Sequence, residues 1–172
     1  EKRKKSAEQK KQKKAKKQNL KAISPPEAEI NNLLYQFQNG LYGDAEKLAL
    51  SITERFPEHE FGWKALGAIL SQTGRFSESL APNQKSVQLA PRDAEAHYNL
   101  GETLKKLGKL DEAQESCKQA ITLKSDFAEA HNNLGNTLQE LGKFEEAEAS
   151  YMQAIALKPD YAEARSNLGV TF

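Results

Sequence analysis

The sequence predicts an all-α protein, a solenoid of antiparallel helix pairs laid side by side. Three observations predict it. One phrase recurs every 34 residues: AEAHYNLGETL begins at Ala94, AEAHNNLGNTL at Ala128 and AEARSNLGVTF at Ala162. Within each period apolar residues fall at helical spacing. Glycine and proline then punctuate the same places in successive periods. A period of roughly 20–50 residues marks a repeat architecture, in which a unit cannot bury its apolar face alone and neighbours must stack.

Units start at Pro26, Glu60, Ala94, Ala128 and Ala162 without insertion. They divide the chain into a segment 1–23 and an array 24–172, with units 26–59, 60–93, 94–127, 128–161 and a partial 162–172. Places four, seven, eleven and fourteen recur at helical spacing as one buried stripe in the first helix, with Glu29 the departure at place four of the first unit. Place seven is Leu33 there, although counting from Pro26 gives Asn32, and Leu66, Leu100, Leu134 and Leu168 after it. Place eight is Gly67, Gly101, Gly135 and Gly169 on that stripe, which lets the partner helix approach closely. Place fifteen is Gly40, Gly74, Gly108 and Gly142, expected to end the first helix in a left-handed cap. The stretches KLDEA and KFEEA open the second helix with acidic residues, which suit a helix N-terminus. That helix buries small residues at places twenty and twenty-seven, and Pro57, Pro91 and Pro159 lie where it must stop. Two units depart from the pattern. The first has Leu34 in place of glycine; its SPPE offers Ser24 as N-cap, Pro25 at the first helical position and Glu27 closing a capping box. The second carries Pro82 and Asn83 inside its second helix, which predicts a kink or a late start.

The pattern W/H-x-x-L-G-x-x-L…G-x-F…A…Y/C…A…P resembles the tetratricopeptide repeat over residues 26–172, about 85% of the chain. The resemblance implies a right-handed superhelix whose concave wall, lined by the first helices, binds peptides or other proteins. The phrase AEAHNNLGN is also similar to the repeats of O-linked N-acetylglucosamine transferase, whose superhelix carries an asparagine ladder.

Place six holds Asn31, Ala65, Asn99, Asn133 and Asn167. At about 100° per residue, places two, six, nine and thirteen point away from the apolar stripe. Asparagine forms helix poorly, so propensity does not select it. Its amide offers an acceptor and two donors, a set that pairs with a peptide main chain whatever its side chains. The alternative is structural, with the amides bonding neighbouring backbone. The candidate peptide-binding residues are Asn31, Tyr35, Phe61, Asn99, Asn133, Asn136 and Asn167. Around them the wall is polar and acidic (Glu95, Glu102, Glu129, Glu140), with one apolar patch at Phe61, Ala65 and Ala68. That mixture favours a ligand carrying positive charge and one apolar anchor, although the chain's own N-terminal segment is a second candidate to cover Phe61. The lysine–asparagine carboxylate clamp of chaperone-binding relatives is incomplete, because Ala68 stands where the asparagine is needed beside Lys64.

Function classes narrow further. The one cysteine, Cys117, forms no intramolecular disulfide, and His97 and His131 at place four have no further ligands at metal spacing, so packing is expected of all three and no cofactor is implied. There is no G-x-S-x-G, H-E-x-x-H or phosphate-binding glycine loop, so catalysis is not expected within this stretch. The chain opens on Glu1 and stops inside a repeat, so a longer protein is expected, and a substrate-recruiting region of an enzyme such as a glycosyltransferase is an alternative reading. Net charge is +1, but residues 1–21 hold eleven Lys/Arg against two Glu, while the rest holds 14 against 22 Asp/Glu. The basic arm is expected to be disordered or partly helical, and to meet nucleic acid or an anionic surface weakly and without sequence preference. No apolar run is long enough to span a membrane, and the lone cysteine fits a cytoplasmic setting.

Overall fold

The computed structural model describes residues 24–169. The expectations for the basic arm lie outside those residues. The regular structure described is entirely helical: α1 Glu27–Gln38, α2 Tyr42–Arg55, α3 Glu60–Gln72, α4 Phe76–Leu89, α5 Ala94–Lys106, α6 Leu110–Leu123, α7 Ala128–Glu140, α8 Phe144–Leu157 and α9 Ala162–Gly169. Each helix packs against the next, and the first helices of neighbouring units also touch, α3 on α5 and α5 on α7. The odd-numbered helices therefore form one continuous wall of an α-solenoid.

The glycines set the corners. Gly40, Gly74, Gly108 and Gly142 all adopt φ of 72° to 76°. In each turn the following amide donates back to a carbonyl five residues earlier, as in Lys109 to Leu104 and Lys143 to Leu138, both at 2.9 Å. This Schellman pairing satisfies the last carbonyls of the first helix and turns the chain into the second. The place-eight glycines bring the two helices together: a β-carbon on Gly67, Gly101 or Gly135 would run into Asn83, Cys117 or Tyr151 respectively. Those three residues occupy the same place in successive units, and all are fully buried.

The apolar core falls into separate clusters. Leu33, Ala45, Ala49, Ile52, Leu66, Ile69 and Leu70 bind the first two units together. Cys117, Leu134, Leu138, Ala147 and Tyr151 bind the third and fourth. Between them the α3–α4–α5 contact is polar. Asn83 Nδ2 donates to Thr103 Oγ1 at 2.9 Å, and the Ser79 and Ser71 hydroxyls lie 3.0 and 3.1 Å from the same oxygen.

Two expectations are corrected. Helix α4 does not start late: it begins at Phe76, the same place as α6 and α8, and runs through Pro82 to Leu89. Pro82 forfeits one backbone donor, but it is buried with Ser79, Asn83 and Ser86, and this packed stripe holds the helix on either side. At the other end, Ser24 does not cap α1. The N-cap is Pro26, without a side-chain bond, and its carbonyl accepts from Glu29 and Ile30. With helical geometry starting only at Glu27, Ser24 lies too far upstream to reach the free amides.

Candidate peptide-binding groove

The wall holds an apolar hollow of about 200 Å³, lined by Leu33, Leu34, Phe37, Phe61, Lys64, Ala65, Ala68, Glu95 and Asn99. Helices α1, α3 and α5 each contribute, so the hollow exists only because three units are stacked. Among the predicted residues it brings Phe61 and Asn99 together. Leu34 lines it because the first unit has a side chain where later units have glycine.

The other predicted residues are placed differently. Asn31 is exposed on α1. Tyr35 is 61% exposed, does not line the hollow, and receives the Asn39 side chain on its carbonyl at 2.8 Å. Asn133 is only 5% exposed, and its Nδ2 is buried without a hydrogen-bond partner. Asn167 Nδ2 donates to Asn132 Oδ1 at 3.1 Å and to Asn136 Oδ1 at 2.9 Å, so its donors are engaged within the protein. Asn136 Oδ1 also lies 2.8 Å from the Tyr151 hydroxyl. The place-six amides thus range from exposed to buried and from unpartnered to internally bonded.

Bridges between units were not anticipated from the sequence. On α3, Lys64 Nζ donates to Asp93 at 2.8 Å and to Glu95 at 3.1 Å. On α7, Asn132 Nδ2 reaches Tyr161 at 3.4 Å and Glu163 at 3.0 Å. Between these two, Tyr98 packs on Phe127 with ring centroids 5.1 Å apart. In the second, third and fourth units the residue at place five therefore meets the entrance of the next unit. Burial works against the charge of Lys64, but its hydrogen bonds to Asp93 and Glu95 outweigh it and hold the pKa above the ordinary lysine value. Burial pushes the Tyr98 hydroxyl up, and the carboxylates of Glu102, Glu129 and Glu163 add to the effect. Carboxylates from three units consequently act on one hydroxyl beyond the hollow. Trp63, His97 and His131 at place four each bond to a carbonyl six residues back, Pro57 at 2.8 Å, Pro91 at 3.1 Å and Ser125 at 3.1 Å. They serve as internal ties.

The family model described as the tetratricopeptide repeat matches residues 94–127 and 128–161. Those two units are tetratricopeptide repeats. The described residues have the tetratricopeptide-repeat fold, as similar solved structures show. MamA superposes with a TM-score of 0.74 at 22% identity, over 84% of this chain and 79% of MamA. TTC0263, a tetratricopeptide-repeat protein of Thermus thermophilus, gives 0.71 at 23% identity over 88% of this chain and 83% of its own. The first tetratricopeptide domain of Spaghetti (RPAP3), solved bound to the HSP90 peptide SRMEEVD, gives 0.63 at 23% identity over 65% and 89%. No curated protein sequence matches the chain. Among the described residues no helix is long and apolar enough to cross a membrane, and no group of three His, Cys, Asp or Glu stands ready to hold a metal ion.

Proposed function

We propose that this tetratricopeptide-repeat solenoid is a protein-interaction scaffold that holds an extended peptide or protein segment along the wall built by its odd-numbered helices. The observation that carries the reading is the hollow across α1, α3 and α5, where Phe61, Ala65 and Ala68 supply apolar surface beside the Asn99 amide. Pockets of this kind, mostly apolar with a few convergent polar groups, are the usual form of a recognition site. Asn133 supports it: a buried amide donor without a partner is costly within a folded protein and gains a partner if a peptide carbonyl arrives.

An array of peptides of unbiased sequence, probed with the full chain and with Phe61→Arg, tests the reading. Selective capture that Phe61→Arg abolishes, with unchanged helical content and melting, is expected. Capture indifferent to Phe61→Arg, or no capture at all, would count against it.

A further inference from the structure

Resting on that reading, we infer that the partner segment is basic, carrying one aliphatic or aromatic anchor next to a run of lysine or arginine. The anchor fills the hollow at Phe61, and the cations lie against the carboxylates that follow on α5, α7 and α9.

Size comes first. About 200 Å³ is below the roughly 300–1,000 Å³ typical of sites that enclose a whole small molecule. The hollow takes a single side chain, with the rest of the segment continuing along the wall. Its lining is aliphatic and aromatic apart from Lys64, Glu95 and Asn99, so the side chain is apolar.

Charge comes second. Lys64 is the cation of the hollow, and it already serves two carboxylates, Asp93 and Glu95. A free carboxylate arriving there would compete with two that are preorganised, and would sit close to both. Beyond the hollow, the Glu102, Glu129 and Glu163 carboxylates all act on the Tyr98 hydroxyl, and Glu163 is tied to Asn132 of α7 at 3.0 Å. Of these, Glu129 has a lysine partner, Lys158 at 3.5 Å, and Glu163 accepts from the neutral Asn132 amide. Lys105 interacts with Glu102 and Glu140, while Lys106 turns onto the Phe76 ring at 6.0 Å, so the carboxylates Glu102, Glu129, Glu140 and Glu163 outnumber the cations Lys105 and Lys158 along this part of the wall. Basic side chains are steered to it, and acidic ones are turned away. The similar domain of Spaghetti is bound to SRMEEVD, which carries the opposite charge. The two grooves are thus expected to select against each other's ligands.

The test uses the full chain and three end-blocked, fluorescein-labelled dodecapeptides: one leucine flanked by five lysines, the same with leucine replaced by serine, and the same with glutamates for lysines. Fluorescence anisotropy is read at 50 and 300 mM NaCl. The leucine–lysine probe is expected to bind at least tenfold more tightly than either control and to weaken severalfold at the higher salt. Lys64→Met should strengthen it, because a competing cation goes; Phe61→Arg should remove it. Equal or tighter binding of the glutamate probe overturns the inference. So does a leucine–lysine probe that binds as well without its leucine. If no probe binds while the unbiased array still shows Phe61-dependent capture, this inference fails and the scaffold reading stands; if the array also fails, both fall. Residues 1–23 themselves hold a lysine run followed by Leu20 and Ile23. Tight probe binding seen only after Lys10, Lys11, Lys13, Lys14, Lys16 and Lys17 are changed to glutamine would show that the chain's own segment takes the groove, which overturns an external partner.

Discussion

Tyr151 fills the notch left by Gly135: a β-carbon on that glycine would meet three Tyr151 ring atoms at 2.5–2.9 Å. The ring is fully buried and its hydroxyl is bonded to Asn136 and Gln139 oxygens, so it has little room to move. Alanine is the better helix former by about 1 kcal/mol, yet overpacking a tight core costs about 1–3 kcal/mol. With three atoms of a fixed ring inside 3.0 Å the clash falls in the upper part of that range, so Gly135→Ala is expected to lower stability by about 1–2 kcal/mol in urea denaturation. The control is Gly43→Ala, near the start of α2, where nothing lies within 4 Å of the new methyl. It should raise stability by up to about 1 kcal/mol. A neutral Gly135→Ala would show that the helix pair is less tightly joined than described.

Asn83 occupies the place of Cys117 and Tyr151, and its Oδ1 is buried with no hydrogen-bond partner. Replacing it with cysteine copies the glycine–cysteine pair of the next unit. The Nδ2 bond to Thr103 and a longer one to the Asn99 carbonyl at 3.5 Å are lost, but Thr103 keeps both serine neighbours. Removing an unsatisfied buried acceptor outweighs one exchangeable bond and one at the limit of hydrogen-bond distance. Asn83→Cys should stabilise the protein by about 1 kcal/mol, seen as a higher urea midpoint at unchanged slope. A lower midpoint would mean that the polar contact between α4 and α5 is a net contributor.

What the sequence shows and hides follows from this. Gly108 and its equivalents are legible because only glycine adopts their positive φ easily, and Gly135 because its period matches the apolar stripe. Pro82 misleads because propensity weighs one lost donor and not the buried stripe that holds α4. Ser24 misleads because a cap depends on where helical geometry starts, which the double proline moves forward. Leu34 and Phe37 are missed as groove residues because periodicity assigns each place one role, and the first unit uses place eight differently. The bridges Lys64–Glu95 and Asn132–Glu163 are hidden for a different reason. Helical periodicity describes one helix at a time, and these pairs depend on how units are stacked.

Asn133 offers a separation of stability from binding. Its buried Nδ2 gives up no bond on replacement, and alanine favours helix. Asn133→Ala should melt at the same temperature or slightly higher, while peptide capture weakens about tenfold, the loss of roughly one buried hydrogen bond. A marked fall in melting temperature would assign this asparagine to the fold instead.

The place-four bond predicts a selective tolerance. His97 Nε2 donates to the Pro91 carbonyl, so the proton must sit on that nitrogen, and Trp63 makes the same bond with its indole N–H. His97→Trp should be tolerated, whereas His97→Phe, which keeps an aromatic ring without a donor, should cost about 1 kcal/mol. Equal thermal unfolding of the two variants would show that the ring alone matters.

Alkaline pH probes the same interior. Burial pushes the Cys117 thiol up to about 12. Burial first, and then the nearby Glu140 and Glu163 carboxylates, pushes the Tyr151 hydroxyl to about 12 as well. In the unfolded chain the thiol ionises near about 8.5 and the phenol near about 10. Between those values and 12 the unfolded state has lost protons that the native state keeps. Raising the pH therefore favours unfolding. Stability should be level up to about pH 8 and then decline, with the thiol alone contributing a slope approaching about 1.4 kcal/mol per pH unit. Urea midpoints at pH 7, 9 and 10.5 measure this, and Cys117→Ala should flatten the decline between pH 8.5 and 10. Iodoacetamide at pH 9 should leave native Cys117 unmodified and label it promptly in urea. A level profile through pH 10.5, or rapid native labelling, would show that the thiol beneath Gly101 is open to solvent.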